Sequence, residues 1–286
     1  MQWLDALVQG LLLGGMYAQY AIGMALMFGV MRIVNTAHGD MMILLALVGV
    51  SLAGALAIGP YVVVAMLVPI AMVLGWLLQK TVLNRVLGND PLPSLIATFG
   101  LSIALQNLML QIWSADTRSL PGDGLEFASL ALGDFFVGVL PLQIFAAALL
   151  MTAGLDLTLR YTAFGRSLRA AAADPEAAAI TGINPQRVYA AATALAVGML
   201  GVAAVCQSLR ATVSPSDGPA QLIYAFEAVI IGGMGSVWGA FLGAMVLGVS
   251  QAIGFRLDAG WGILSGHLVF LAVLAVRPQG LMSRRA

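Results

Sequence analysis

The stretch Met41–Gln79, MMILLALVGVSLAGALAIGPYVVVAMLVPIAMVLGWLLQ, runs for 39 residues without an aspartate, glutamate, lysine or arginine. A helix that crosses a bilayer needs about 20 predominantly apolar residues, so this stretch holds two crossings. Gly59-Pro60 breaks it near its middle, where one helix stops and proline opens the next. Working outward, the pattern recurs. Ala6–Met31, Pro91–Ala115, Phe135–Leu155, Val188–Leu209 and Ala228–Phe255 are free of charge, and Ala259–Val276 is interrupted only by His267. A charge at the centre of a spanning helix costs roughly 2.5–3.5 kcal/mol on insertion scales, so gaps of this length do not arise by accident. The expected fold is an all-α, polytopic transmembrane helix bundle of about eight hydrophobic segments, forming a single transmembrane domain over residues 1–286.

Composition agrees. Of 286 residues, 60% are hydrophobic and 9% charged, with a mean hydropathy of +0.96. A soluble domain carries about 25% charged residues; this chain lacks the polar surface to cover a water-facing globule. Disorder, coiled coil, collagen and disulfide scaffolds are excluded by the same figures. Thirteen basic and thirteen acidic residues cancel, so global charge indicates no nucleic-acid partner. Cys206 is the only cysteine, which rules out an intrachain disulfide and argues against a thiolate metal cluster. The start, Met-Gln-Trp-Leu-Asp, lacks the basic region of a cleaved secretory signal.

The charges between the apolar runs set an orientation. Arg32 follows the first run, and positive-inside logic places it at the cytoplasm with the N-terminus outside. The turn bearing Lys80, Arg85 and Asp90 is net basic, hence inside. Ser114–Asp134 carries Asp116, Asp123, Glu126 and Asp134 against Arg118 alone, hence outside. Arg160–Arg187 carries Arg160, Arg166, Arg169 and Arg187 against Asp174 and Glu176, hence inside, as is the tail with Arg277, Arg284 and Arg285. Parity then requires the chain to leave and regain the outer side between Leu209 and Ala259. A hairpin turning at Gly232-Gly233-Met234-Gly235-Ser236 satisfies this, with arms near Gln221–Ile231 and Val237–Ile253. Its first arm is short, as in a re-entrant hairpin; one long kinked helix is the alternative. Gly10 and Gly14, and Gly235, Gly239 and Gly243, recur every four residues, the small-xxx-small spacing that lets helix backbones approach in lipid.

The segment 160–187 is alanine-rich and amphipathic, unlike a flexible linker. Asp174-Pro175-Glu176 is a helix start: a capping acid, proline at the first helical position, and an acid in the first turn. Gly182 is the expected stop, and Asn184-Pro185 opens the next helix. The intervening stub Pro175–Thr181 is about 10 Å long at 1.5 Å per residue. A rigid stub between two membrane helices suits pushing against a partner; an ordinary helical loop is the plainer reading.

This segment resembles the cytoplasmic coupling loop of bacterial ABC importer permeases, and more narrowly that of the branched-chain amino acid (LivH-type) permease family. The family pattern Gly-Arg-x-x-Arg-Ala-x-Ala-x-Asp, followed by small residues, Gly-Ile-Asn and a basic residue, is met by Gly165, Arg166, Arg169, Ala170, Ala172, Asp174, Gly182, Ile183, Asn184 and Arg187. Asn35-Thr36-Ala37-His38-Gly39-Asp40 resembles the family's Asn-Phe-Ala-His-Gly-Glu. Ile231-Gly232-Gly233-Met234-Gly235-Ser236 with Gly239 resembles its Leu-Gly-Gly-Ile-Gly-Ser-x-x-Gly, and Arg277-Pro278-Gln279-Gly280-Leu281 its Pro-x-Gly-Leu/Ile ending. The matches keep their order from residue 32 to 281. The resemblance implies a multi-pass subunit of the bacterial inner membrane, forming half of a channel with a second, identical or different permease. Two ABC ATPase subunits would bind its cytoplasmic face, and a periplasmic binding protein would deliver the solute. The ATPases would use the ATP, so no cofactor is expected on this chain. Arg166 and Arg169 could pair with acids on the ATPase or with lipid phosphate, or lie solvated. Thr36 and Asp40 depart from the family's aromatic and Glu, which leaves urea and short amides beside branched-chain amino acids as solutes.

Polar groups within the apolar runs are candidates for the translocation pathway, because ionisable groups at membrane depth are expensive. Asn35, His38 and Asp40 either lie at such depth or cap the second helix at the surface. Glu227 either meets a buried donor, borders a water-filled cavity, or lies exposed at a loop edge. With Gly232, Gly233 and Gly235 these form the candidate pathway set. His267 reads as a helix-packing histidine. Gln106, Asn107 and Gln111 line a polar face or bridge helices. An intramembrane enzyme is a rival reading, but the chain has no His-Glu-x-x-His or Gly-x-Ser-x-Gly element. A stand-alone transporter or channel would show repeated halves and needs no docking loop. No phosphate-binding Gly-x-x-x-x-Gly-Lys-Ser/Thr loop is present, so an ABC function places the ATPase on another chain.

Overall fold

The computed structural model describes residues 2–88, 90–122, 124–132 and 135–282. Asp123, Asp134, Arg284 and Arg285, which enter the charge reading of loop and tail, lie outside the described residues. The order is α1 Gln2–Met31, α2 His38–Leu56 and α3 Pro60–Leu78, which runs through a π-helical turn Gln79–Leu83 into α4 Asn84–Val86. Next come α5 Leu92–Trp113, the antiparallel pair β1 Ser129–Leu132 and β2 Phe135–Gly138, and α6 Val139–Tyr161. The rest is α7 Ala163–Ala173, α8 Pro175–Ile180, α9 Pro185–Arg210, α10 Gly218–Gly232, α11 Val237–Leu257 and α12 Trp261–Val276.

Among the described residues, seven helical runs are long and apolar enough to cross a membrane. They are α1, α2, α3 with its extension, α5, α6, α9 and α11. The apolar helices α10 and α12 have 15 and 16 residues, about 22–24 Å at 1.5 Å per residue, short of the ~30 Å hydrocarbon layer. The break at Gly59-Pro60 is real: α2 ends in a left-handed Ala57, and Pro60 occupies the first position of α3. The hairpin around Gly232–Ser236 also forms, with arms Gly218–Gly232 and Val237–Leu257 that are longer than the sequence indicates.

One expectation needs correction. The apolar run Phe135–Leu155 is not helical at its start. Its first four residues pair as β2 with Ser129–Leu132, in register Leu130↔Val137, so the helical bundle carries one small β-hairpin. Aromatic and β-branched residues suit a strand as well as a membrane helix. The stub expected over Pro175–Thr181 forms as α8, Pro175–Ile180, and a further helix, α7, precedes it within the segment 160–187.

Burial divides the helices into two classes. In their most apolar windows, α1 is 83% and α9 78% buried, against 17% for α5 and 22% for α6. α1 is the axis, and α11 runs antiparallel along it. Gly10 lies against Val249 and Gly14 against Met245, so closely that a Cβ on Gly14 would stand 2.8 Å from the Met245 Cα. In lipid no hydrophobic effect drives helices together; close van der Waals contact between small residues does. The peripheral α3, α5 and α6 leave apolar side chains such as Val73, Ile96 and Leu150 outward.

Candidate functional site

The segment between α6 and α9 forms a rigid elbow. Thr162 leaves the helical conformation and its hydroxyl accepts the Gly165 amide at 3.1 Å, opening α7. Gly165, Leu168 and Ala171 form its buried face, and Gly165 sits directly on the Leu159 main chain. The Arg169 guanidinium donates to the Leu159 carbonyl, tying α7 to α6. The Tyr189 hydroxyl donates to the Ala171 carbonyl at 3.1 Å, tying α7 to α9. Asp174 accepts the amides of Glu176 and Ala177 at 2.9 and 3.0 Å, with Pro175 at the first helical position. Gly182, at φ +88°, ends the stub in a conformation that costs other residues about 1–2 kcal/mol. Asn184 caps α9 through the Arg187 amide at 3.1 Å, and the Ile183 amide returns to the Ala178 carbonyl. Arg166, Glu176, Gly182 and Asn184 face outward, and Ala170 and Ile183 are half-buried. Tyr161 and Ile180 are 74% and 88% exposed; nothing in the charge pattern had marked these two. Beside the elbow, a cleft of about 810 Å³ opens between α7, the end of α1 and the turn before α11, lined in part by Arg32, Asp156, Arg160 and Arg169.

The second group surrounds Asp40. After α1 the chain folds back into the bundle instead of turning at its surface. His38 Nε2 lies 3.0 Å from the Tyr20 carbonyl, and Tyr20 precedes the end of α1 by eleven residues, about 16 Å inward at 1.5 Å per residue. Asn35, His38 and Asp40 are all buried, so the surface-cap reading fails. Before α2, which has Ala37 at its cap position, the Asn35 side-chain oxygen accepts the Ala37 amide at 3.1 Å and holds the entering turn. Asp40 takes the Ser102 hydroxyl at 2.5 Å on one oxygen and the Gln106 amide at 3.0 Å on the other. Thr36 donates to Thr98 at 3.0 Å. These bonds fasten the exposed helix α5 to α2. Gly39 and Gly218 touch backbone to backbone, bringing the starts of α2 and α10 together.

The third group surrounds Glu227. Its Oε1 lies 2.5 Å from Nδ1 of His267, which corrects both the loop-edge reading of Glu227 and the packing reading of His267. Tyr224, one turn before Glu227, lies parallel to the His267 ring at 6.5 Å and stacks on Tyr17 at 4.8 Å. The Tyr17 hydroxyl donates to Gln251 Oε1 at 2.6 Å, and the Tyr20 hydroxyl to Gln207 at 2.6 Å. Among the described residues, Glu227 Oε2 and Gln251 Nε2 are buried with no hydrogen-bond partner. Tyr17, Tyr20, Tyr224, Gln207 and Gln251 escaped the sequence reading. The signal was present in the three-residue spacing of Tyr17 with Tyr20 and of Tyr224 with Glu227, one face each of an otherwise apolar helix.

The remaining candidates separate. Gly232, Gly233 and Gly235 form the α10–α11 turn at the Arg32 end of α1, where Gly235 packs on Gly29. There the Leu281 and Met282 amides bond to the Ile231 and Gly232 carbonyls at 2.9 Å. Gln106 bridges α5 to α2, while Asn107 bonds back to its own helix and Gln111 is exposed, so the three share no polar face.

The family model described as "Branched-chain amino acid transport system / permease component" matches residues 6–274. The permease protein BraD of the high-affinity branched-chain amino acid transport system of Pseudomonas aeruginosa is 27% identical, over 99% of this chain and 96% of its own. LivH of Escherichia coli K12, also named as a permease of such a system, is 28% identical over the same shares. PsaBC from Streptococcus pneumoniae superposes with a TM-score of 0.49 at 15% identity, covering 95% of this chain and 91% of that one. With seven helical runs long enough to span and a family match over nearly its whole length, this multi-pass membrane protein belongs to the permease components of branched-chain amino acid transport systems.

Proposed function

We propose that this chain is the inner-membrane permease subunit of an ABC importer, passing a branched-chain or related amino acid inward while ATPase subunits on separate chains supply the energy. The observation that supports this reading is the elbow α7–α8. Its stub is capped at both ends, so a push moves it as a body instead of fraying it. Ile180 stands 88% exposed at its end, the kind of apolar tip that fills a groove on a partner. Displacement of α8 would pass through α7 to α6 by Gly165 and Arg169, and to α9 by Tyr189. It would thus reach one peripheral helix and one core helix together. Arg169 is engaged with Leu159, which leaves Arg166, Glu176 and Arg187 among the outward charges for a partner surface.

Two ATPase subunits, a second permease of the same or another sequence, and a periplasmic binding protein complete the proposed assembly. The exposed apolar faces of α3, α5 and α6 would meet lipid or the second permease. The near-full-length relatives are named for branched-chain amino acid transport, which favours that solute class over urea and amides. Copurification and uptake test the reading. Expressed with its ATPase, permease and binding-protein partners, the chain should bring an ATPase subunit through purification and import L-leucine only in the presence of ATP; alone it should hydrolyse none. L-leucine uptake by the chain alone would instead make it a stand-alone transporter.

A further inference from the structure

We infer that Glu227, with His267, Tyr224, Tyr17 and Gln251, forms a site inside the bundle for the ammonium group of the transported solute. The inference rests on the amino-acid importer reading for its solute class and goes beyond it in naming the residues and their chemistry. Glu227 is 4% exposed, on an apolar helix where a carboxylate is costly. His267 occupies only one of its oxygens. The other is buried without a donor, although buried polar groups are otherwise satisfied almost without exception. Tyr224, one turn before Glu227 on α10, stacks on Tyr17 and lies parallel to the His267 ring, an aromatic wall for the site. Gln251, bonded to Tyr17, presents the reverse case. The Tyr17 hydroxyl takes up Gln251 Oε1, which fixes the amide so that Nε2 points at Gly266, the neighbour of His267. That nitrogen, on a side chain 1% exposed, has no acceptor among the described residues.

A carboxylate oxygen lacking a donor and an amide nitrogen lacking an acceptor are the complement of a zwitterion. The ammonium would donate to Glu227 and the solute's carboxylate would accept from Gln251. A neutral amide would answer Gln251 but bring no cation to Glu227. His267, with 37% of its side chain open, marks the side of entry between α10 and α12. Asp40 is no rival, since both of its oxygens already hold donors.

The test uses the permease complex with its ATPase and permease partners, purified without binding protein. Isoamylamine, 4-methylpentanoate and L-leucine serve as millimolar probes of thermal stability, and L-leucine uptake is measured after reconstitution with binding protein. Isoamylamine and L-leucine should stabilise the wild-type complex, and 4-methylpentanoate should do so less than either. Glu227→Gln should abolish the isoamylamine shift and lower L-leucine uptake by about tenfold or more, the loss of one hydrogen bond to a charged group, with Glu227→Asp restoring part of both. Gln251→Met should weaken the L-leucine shift more than the isoamylamine shift, and the partial recovery in Glu227→Asp separates loss of the charge from a folding defect. Wild-type L-leucine uptake in Glu227→Gln, or an isoamylamine shift that does not need Glu227, overturns the site while the importer reading stands. A complex that binds isoamylamine through Glu227 but imports urea or acetamide and no leucine keeps the site and overturns the amino-acid reading.

Discussion

Asp40 and Glu227 are both buried acids near the starts or middles of apolar helices, yet their surroundings differ. Asp40 sits in the first turn of α2 with a donor on each oxygen, and both donors come from one helix, α5. Glu227 sits within the 15-residue α10, with one oxygen on His267 and the other unmatched. A carboxylate whose hydrogen bonds are complete holds helices together and has nothing left to offer a passing molecule. One that is half satisfied keeps an acceptor free, as the proposed ammonium site requires. Apolar surroundings make both acids conspicuous; the count of partners is what separates them.

The fastening around Asp40 can be broken most severely at its glycines. A Cβ on Gly39 would run into the Gly218 main chain, which cannot rotate aside. Gly39→Val should therefore cost on the order of 3 kcal/mol and remove most folded protein from a gel-filtration profile; normal yield would mean that α2 and α10 are not held in contact there. Asp40→Ala comes next. It strands the Ser102 hydroxyl and Gln106 amide, a loss of about 1–3 kcal/mol readable as a lower unfolding temperature, while uptake per folded molecule should persist. If Asp40→Ala lowered uptake per folded molecule as strongly as Glu227→Gln, the contrast between the two acids would disappear.

The elbow sharpens the comparison from outside, because its residues should move coupling and not stability. Ile180→Asp lies on an open surface, where substitutions usually stay within about 0.5 kcal/mol. It should leave membrane insertion and melting unchanged while the ATPase subunit is lost on purification. Retained ATPase binding would remove Ile180 from the interface. The smallest effect belongs to Asp174→Ala, worth about 1 kcal/mol of local helix stability. Hydrogen exchange at Glu176 and Ala177, whose amides lose their acceptor, should accelerate with no change in global melting.

The local features were legible in the sequence. Charge-free runs placed the crossings, Gly59-Pro60 separated α2 from α3, and the caps Asp174 and Asn184 with the stop at Gly182 were readable because each depends on neighbours within a few residues. β2 was not, because an apolar run of four is common to strands and membrane helices. The depth of His38 and Asp40 was not, because the return of residues 32–37 into the bundle is decided by packing against Tyr20. Nor was the bond between Glu227 and His267, 40 residues apart, which exists only once α10 and α12 lie side by side. Tyr17 and Gln251 were hidden for the same reason: single polar residues on long apolar helices gain meaning from their partners.

All of this turns on which side of the membrane the α7–α8 elbow faces. An Ile180→Cys variant in a Cys206→Ser background, treated with a membrane-impermeant maleimide, reads that directly. Labelling is expected only in inverted vesicles, and should be blocked when the ATPase subunits are bound. Labelling of the same variant in intact, right-side-out cells would put the elbow beyond the reach of any ATP-driven partner and contradict the proposed function.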